Sequence, residues 1–215
     1  MADIQIPSAA GFLQVRPLWQ AGSDKVVILC HPHPLFGGTM DNKVVTTMAR
    51  FFRNQGISVL TFNFRGVGAS TGQHDHGVGE IEDFFSVLTW VVAERGLSQL
   101  YIAGFSFGAY IAAAAASRIN QQQVPAELAG VNLLKTFLVA PAVHHNPMQD
   151  LQLKPDTLVV IGRDDEIVSP EDVIQWSKAL SLDIKIVENC GHFFHGHLPE
   201  LSSYLQDSFL QNGFP

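Results

Sequence analysis

The sequence predicts an α/β protein with a mostly parallel, doubly wound sheet of about seven or eight strands and helices on both faces. Short apolar runs alternate with helix-length segments from residue 25 onward, a pattern typical of strand–helix–strand units with right-handed crossovers. Hydrophobic residues make up 47% of the 215-residue chain and charged residues only 15%, against an average charged share of roughly 25%. This composition favours a sizeable core, and residues 1–215 are expected to form a single domain.

The individual elements follow from apolar periodicity and from glycine and proline positions. Residues 4–20 alternate weakly and contain Gly11 and two prolines, which predicts a hairpin of edge strands. The predicted buried strands are short apolar runs at residues 26–30, 57–64, 100–103, 136–140, 157–161 and 184–187. The predicted helices span residues 42–55, 80–95, the segment that ends near 119, 170–180 and 199–210.

Composition also excludes several classes of function. The net charge is −7 and there is no basic run, so the electrostatic pattern of a nucleic-acid-binding protein is missing. The N-terminal segment has no basic flank followed by an apolar core, and no stretch approaches the roughly 20 apolar residues that a membrane span needs. Cys30 and Cys190 are the only cysteines. We therefore expect a cytoplasmic protein with no membrane or nucleic-acid partner, whose low charge content is compatible with a homodimer.

A serine turn carries the predicted nucleophile. Residues 100–117, LYIAGFSFGAYIAAAAAS, predict an apolar strand, a turn of the pattern G-x-S-x-G and an alanine-rich helix. On such a turn, Gly104 and Gly108 leave room for the adjoining strand and helix, and the hydroxyl of Ser106 lies above the sheet. The first N–H groups of the helix, including that of Phe107, then favour developing negative charge. A tight glycine turn with a non-catalytic serine is the alternative interpretation.

A serine hydroxyl needs a base to take its proton, and the base needs an orienting acid. The loop GRDDEIVSP follows one predicted strand and carries three candidate acids, Asp164, Asp165 and Glu166. The loop ENCGHFF follows the last predicted strand and carries His192. The order along the chain is therefore serine, acid, histidine. Because loops beyond the carboxyl ends of parallel strands meet at one edge of the sheet, we expect these side chains to converge.

These motifs, in this order, resemble those of the α/β-hydrolase superfamily. The chain looks closest to the small, lidless hydrolases related to dienelactone hydrolase, and the resemblance covers nearly everything from residue 25 onward. The loops HPHPLFGG and NFRGVGAS are similar to the loops after the third and fourth strands of the family. Dienelactone hydrolase itself uses a cysteine nucleophile where this chain has Ser106, so its particular activity is not implied.

The resemblance implies the catalytic roles of individual residues. Aligned on Gly162 and Val168, the orienting acid of the family falls on Asp165. The catalytic base of the family falls on His192. The resemblance therefore implies that His192, held by Asp165, takes the proton of Ser106.

The resemblance also implies a second oxyanion donor, because the family uses a backbone N–H just after its third strand. Pro32 and Pro34 have no N–H to give, which leaves His33 and then Leu35. Alignment of the first His-Pro pair with the usual His-Gly of the family favours His33. The implied oxyanion hole consists of the backbone N–H groups of Phe107 and His33.

The remaining histidines raise the question of a metal site. His31 with His33, and His74 with His76, each form an H-x-H pair. Neither pair has an obvious third ligand of the kind that a catalytic zinc requires, so we expect neither a metal nor a cofactor. Four further histidines are expected at the pocket rim, at the surface or at helix caps: His144, His145, His195 and His197.

The sequence as a whole predicts a serine hydrolase that cleaves a small ester by acyl transfer to water. The segment PAVHHNPMQDLQLKP, between two predicted strands, is too short for a helical lid. We therefore expect an open, shallow site and a small-molecule acyl substrate. A thioesterase or peptidase on the same fold, and a non-catalytic member that binds a ligand, remain alternatives, because this scaffold hosts many activities.

Overall fold

The computed structural model describes residues 2–210, so residue 1 and residues 211–215 of the predicted domain lie outside the described range. Within that range the strands are Ile4–Ser8 (β1), Gly11–Leu18 (β2), Lys25–Cys30 (β3), Ser58–Phe62 (β4), Gln99–Phe105 (β5), Asn132–Val139 (β6), Leu158–Gly162 (β7) and Asp183–Val187 (β8). The α-helices are Lys43–Asn54 (α1), Val78–Arg95 (α2), Phe107–Asn120 (α3), Pro170–Ala179 (α4) and Leu198–Leu210 (α5). None of these helices is long and apolar enough to cross a membrane.

All eight strands belong to one mostly parallel sheet, with the order β1-β2-β4-β3-β5-β6-β7-β8. The predicted N-terminal hairpin is present, with β1 and β2 antiparallel, and β2 also pairs antiparallel with β4. From β4 across to β8 every neighbouring pair is parallel. The carboxyl ends of these strands therefore lie at a common edge, where the loops after them meet. This arrangement confirms the predicted fold class.

The burial of the strands shows that both faces of the sheet are covered by other parts of the chain. Strands β4 and β7 are buried at every residue, and successive side chains of a strand point to opposite faces, so both faces are covered. Helix α1 packs against α5, and α2 packs against α3. The run Ala112–Ala116 of α3 is buried, and its small side chains let the helix lie close to β5 and β6.

Strand β6 begins four residues earlier than the apolar run predicts, at Asn132 rather than Thr136. Lys135 interrupts the apolar pattern, yet it is 3% exposed. Its Nζ donates a hydrogen bond to the carbonyl of Ser208 at 2.9 Å. Burial lowers the pKa of Lys135. The long lysine side chain reaches the end of α5, where the carbonyl of Ser208 stabilises its ammonium group. The strand can therefore contain a buried lysine.

The connection between β6 and β7, residues 140–157, consists of turns and bends without a helix. This connection therefore contributes no helical lid over the edge beyond β5. The 3₁₀ turn Pro34–Phe36, in the loop after β3, lies at the same edge.

The approach of α3 to β3 gives a stability prediction. A Cβ at Gly108 would lie 2.3 Å from the carbonyl oxygen of Cys30 and 2.4 Å from that of His31. Because both obstacles are backbone atoms, no side-chain rotation relieves the clash, and we expect Gly108→Ala to lower the free energy of unfolding by about 3 kcal/mol. Calorimetry should show a drop in Tm of roughly 6–12 °C.

Gly130→Ala is the matched control, because a Cβ at Gly130 meets nothing within 4 Å. Its Tm should stay within about 2 °C of the wild type. Equal Tm values for the two variants would contradict the close packing of α3 on β3.

Candidate active site

Ser106 occupies the turn between β5 and α3 with a strained backbone. Its φ of 57° and ψ of −120° lie in a region that residues other than glycine rarely adopt. Its N–H donates to the carbonyl of Val139 in β6 at 2.9 Å. A Cβ at Gly104 would lie 2.2 Å from the carbonyl oxygen of Gly108, so the turn closes only with glycine there. The predicted strand, turn and helix are present, with Ser106 at the tip.

The structure brings His192 between Ser106 and Asp165. The hydroxyl of Ser106 lies 3.0 Å from Nε2 of His192, which accepts its proton in a hydrogen bond. Nδ1 of His192 donates to Oδ2 of Asp165 at 2.8 Å. The rings of Phe105 and Phe193 pack against the imidazole, with centroids 5.0 and 5.1 Å away. The three predicted side chains thus form a continuous hydrogen-bonded chain.

Of the three candidate acids, Asp165 is the one that contacts the imidazole of His192. Its Oδ1 accepts hydrogen bonds from the N–H groups of Ile167 and Val168 at 2.9 and 2.8 Å. With the imidazole on Oδ2, the buried carboxylate has three donors, which orient it and satisfy its charge. Asp164 is exposed.

Glu166 contacts the histidine loop at a different point. Its Oε2 accepts a hydrogen bond from the backbone N–H of His192 at 3.2 Å. The two loops approach closely at Gly162, where a Cβ would lie 2.2 Å from the carbonyl oxygen of Cys190. Glycine at this position therefore allows the acid and the histidine to come within hydrogen-bonding distance.

His31 links the loops after β3 and β4. Its ring is fully buried; Nδ1 donates to the carbonyl of Pro32 at 2.6 Å, and Nε2 accepts from the N–H of Phe64 at 3.0 Å. Burial lowers the pKa of His31 to about 4. This neutral imidazole holds the segment that contains His33, and both of its nitrogens are already used.

The two residues predicted to supply the backbone donors of an oxyanion hole have side chains in contact. The rings of His33 and Phe107 pack with centroids 4.9 Å apart. Among the described residues, neither of their N–H groups makes a turn, cap or side-chain hydrogen bond. The N–H of Leu35, the competing donor, is used in a bond to Nδ1 of His33 at 3.2 Å. This difference favours His33 over Leu35.

Ser106 lies in the wall of two cavities. The first, of about 380 Å³, is called the histidine cavity here because its wall contains His33, His74, His76 and His145. The second, of about 430 Å³, is the aromatic cavity, with His192 and Phe193 in its wall. Both cavities share Ser106, His33, Phe36 and Ile167. A substrate bound at Ser106 therefore has two adjoining cavities available to it.

The other histidines divide as follows. His145 lines the histidine cavity as predicted, whereas His144 turns away and contacts Asp172. His195 is exposed. Nδ1 of His197 lies 3.2 Å from Glu200 at the start of α5.

Sequence reasoning did not assign several residues of the histidine cavity to the site, among them His74, His76, Phe36 and Ile167. The only feature of the sequence that could have indicated these residues is their position. Each of them lies in a loop that follows a parallel strand. Loops of that kind converge at the functional edge of the sheet.

A serine at the tip of a strand–turn–helix, in contact with a histidine, is typical of hydrolases built on a mostly parallel sheet. Residues 25–154 match the family model of the alpha/beta hydrolase fold. An uncharacterised protein from Rickettsia prowazekii is 34% identical over 198 residues, which span 86% of this chain and 78% of that protein. The chain belongs to the α/β-hydrolase fold family.

Two solved structures are similar over nearly their whole length. An alpha-beta serine hydrolase homologue from Coxiella burnetii is 38% identical, with 95% of each chain covered and a TM-score of 0.82. A serine hydrolase without lid from Xanthomonas campestris is 34% identical, with 100% of this chain and 96% of that chain covered and a TM-score of 0.87. These matches confirm the predicted small, lidless fold and the hydrolase class. The relation to dienelactone hydrolase stays a prediction.

The buried imidazole of His31 gives a pH prediction. Its pKa of about 4 in the folded chain lies below the value of about 6.5 for an unfolded histidine. Between these values the unfolded chain binds the proton more readily, so the free energy of unfolding falls as the pH falls from about 6.5 to about 4. This site should contribute about 3 kcal/mol to that loss, measured by urea unfolding at a series of pH values.

His31→Gln supplies the comparison, since an amide also offers one donor and one acceptor. The variant should be less stable at pH 7 but should lose less stability on acidification. Parallel pH profiles for the two proteins would contradict a buried, neutral His31.

Proposed function

We propose that this chain is a serine esterase that hydrolyses small esters with Ser106 as nucleophile, His192 as general base and Asp165 as orienting acid. The observation that carries the proposal is the unbroken chain from hydroxyl to imidazole to carboxylate, at 3.0 and 2.8 Å. Its geometry supports proton transfer from the serine to Nε2. The carboxylate of Asp165 also favours the tautomer of His192 that carries its proton on Nδ1. In that tautomer Nε2 has a free lone pair and can accept the proton of Ser106.

The reaction follows from these positions. Oγ of Ser106 attacks the ester carbon while its proton passes to Nε2 of His192, and a tetrahedral oxyanion forms. The carbon–oxygen bond to the alcohol then breaks, and His192 gives the proton to the departing alkoxide. Water attacks the acyl-enzyme by the same route and returns the carboxylic acid and free Ser106. Asp165 stays ionised and stabilises the imidazolium that forms in each half of the cycle.

The oxyanion is stabilised by the N–H groups of Phe107 and His33. The N–H of Phe107 lies at the positive end of α3. That of His33 lies in the loop held by His31. Each well-placed donor of this kind is worth about 3 kcal/mol in the transition state.

The surroundings of Ser106 support an ester with small groups on both sides. Neither cavity exceeds about 430 Å³, and residues 140–157, between β6 and β7, form no helical lid over them. Large apolar side chains are exposed around them, with Phe36 at 87% and Ile167 at 48%. Apolar surface beside a reactive serine suits the hydrocarbon part of an acyl or alcohol group. The net charge of −7 supports a small molecule rather than a nucleic acid as substrate.

The first prediction from this mechanism concerns the three proposed catalytic residues. Ser106→Ala should abolish both labelling by a fluorophosphonate probe and hydrolysis of 4-nitrophenyl butyrate. Asp165→Asn should lower kcat by about 10³–10⁴, since the amide favours the wrong imidazole tautomer. Asp164→Asn is the matched control, one residue away and exposed, and should retain activity within about twofold.

A fluorophosphonate adduct mapped to another residue would contradict the assignment of Ser106. Strong loss in Asp164→Asn with none in Asp165→Asn would reverse the choice of acid. Circular dichroism of each variant separates loss of catalysis from loss of fold.

The second prediction concerns the oxyanion donor in the loop after β3. His33 has a φ of −56°, which a proline ring tolerates, so His33→Pro removes the N–H at little change in φ. His33→Ala removes the imidazole but keeps the N–H. We expect kcat to fall about 10²–10³-fold in the proline variant beyond the alanine variant. Equal kcat values in the two folded variants would argue against His33 as a donor.

A further inference from the structure

Imidazoles are concentrated in the histidine cavity. Of the nine histidines of the chain, four line it together with Ser106. The ring centroids of His33 and His74 lie 4.8 Å apart, and those of His74 and His76 lie 5.0 Å apart. His145 reaches the same wall from the loop after β6. Loops after three different strands therefore contribute side chains of one type to one wall.

A buried carboxylate supports this wall from behind. Glu80 is fully buried, and its two oxygens accept hydrogen bonds from the N–H groups of Asp75 and Gly77 at 2.9 and 2.8 Å. Its Oε1 also lies 2.8 Å from Nδ1 of His74, although this nitrogen has no aligned hydrogen-bond partner. The carboxylate thus fixes the loop that holds His74 and His76 and places negative charge behind the wall rather than in the cavity.

The side chains that line the histidine cavity are compatible with a bound anion. Of the described residues that line it, none is acidic and none is a lysine or arginine, although the whole chain carries a net charge of −7. Burial, together with the neighbouring His74, lowers the pKa of His33. The imidazoles are close enough to repel one another when protonated. A bound anion would relieve this repulsion, and each imidazole N–H would donate a hydrogen bond to it.

We infer that the histidine cavity binds a carboxylate of the substrate, so that the ester cleaved at Ser106 carries a second, ionised carboxyl group. This inference rests on the proposed esterase function. Imidazole N–H donors match the two oxygens of a carboxylate. The apolar residues Ala142 and Val168, which also line the cavity, suit the short hydrocarbon chain between the carboxylate and the ester. The substrate class is therefore a monoester of a small dicarboxylic acid or an ester of a small hydroxy acid.

Matched substrate pairs test the inference on both sides of the ester. One pair is mono-4-nitrophenyl adipate and its methyl ester, in which the same chain has lost its charge. The other is 3-carboxyphenyl butyrate and its methyl ester. In one of the pairs the anion should have a kcat/KM at least about tenfold higher than the neutral compound, equivalent to about 1.4 kcal/mol, with most of the difference in KM.

Variants connect the preference to the cavity. His76 and His145 are exposed, and asparagine tolerates the positive φ of 50° at His76. In the double variant His76→Asn, His145→Asn, the ratio of anionic to neutral kcat/KM should fall to near one. His195→Asn, at an exposed histidine outside both cavities, should keep the wild-type ratio.

Failure of this inference differs from failure of the proposed function. Hydrolysis of the neutral esters that depends on Ser106, with a ratio near one in both pairs, would overturn the carboxylate site and leave the esterase intact. If no ester is cleaved, the carboxylate site can still be tested by NMR of the imidazole resonances during titration with monomethyl adipate. Saturable shifts confined to the cavity histidines support the site, and their absence overturns it.

Discussion

The strained backbone of Ser106 is the constraint on which the rest of the structure depends. Its φ of 57° and ψ of −120° destabilise the fold by about 1–3 kcal/mol, and contacts on both sides of the turn hold this conformation. Its N–H is bonded to Val139 of the neighbouring strand, while Gly104 and Gly108 bring strand, turn and helix into backbone contact. The central strands, α3 and the serine hydroxyl are therefore fixed relative to one another, and the buried core offsets the strain.

The histidines around this turn differ in the partners of their ring nitrogens, and these partners suit different roles. Both nitrogens of His31 bond to the backbone, so this residue holds two loops together. His192 lies between a carboxylate and a hydroxyl, the arrangement that suits a residue that gains and loses a proton. His74 and His76 face a cavity with a buried carboxylate behind them, which suits recognition of an anion. Under the proposed function, one residue type would thus serve structure, chemistry and binding within one edge of the sheet.

Much of the fold and part of the site could be predicted from the amino-acid sequence, because both depend on local patterns. Apolar runs separated by helix-length segments predicted the strands and helices, and the glycine spacing around Ser106 predicted the strand, turn and helix there. The prediction was least accurate where a local pattern was interrupted. Lys135 interrupts the apolar run of β6, and its buried contact with the end of α5 joins residues 73 positions apart, which no local window contains.

The sequence by itself determined the fold class, the order of the elements and the loops in which the chemistry lies, because these follow from periodicity and from glycine. Only the tertiary structure decided which side chains meet. Asp164, Asp165 and Glu166 are adjacent and similar in charge, and the path of one loop brings Asp165 alone to the imidazole. The histidine cavity depends on the strand order β4-β3-β5-β6. Long-range strand pairing sets that order, so the residues that form the cavity lie far apart along the chain.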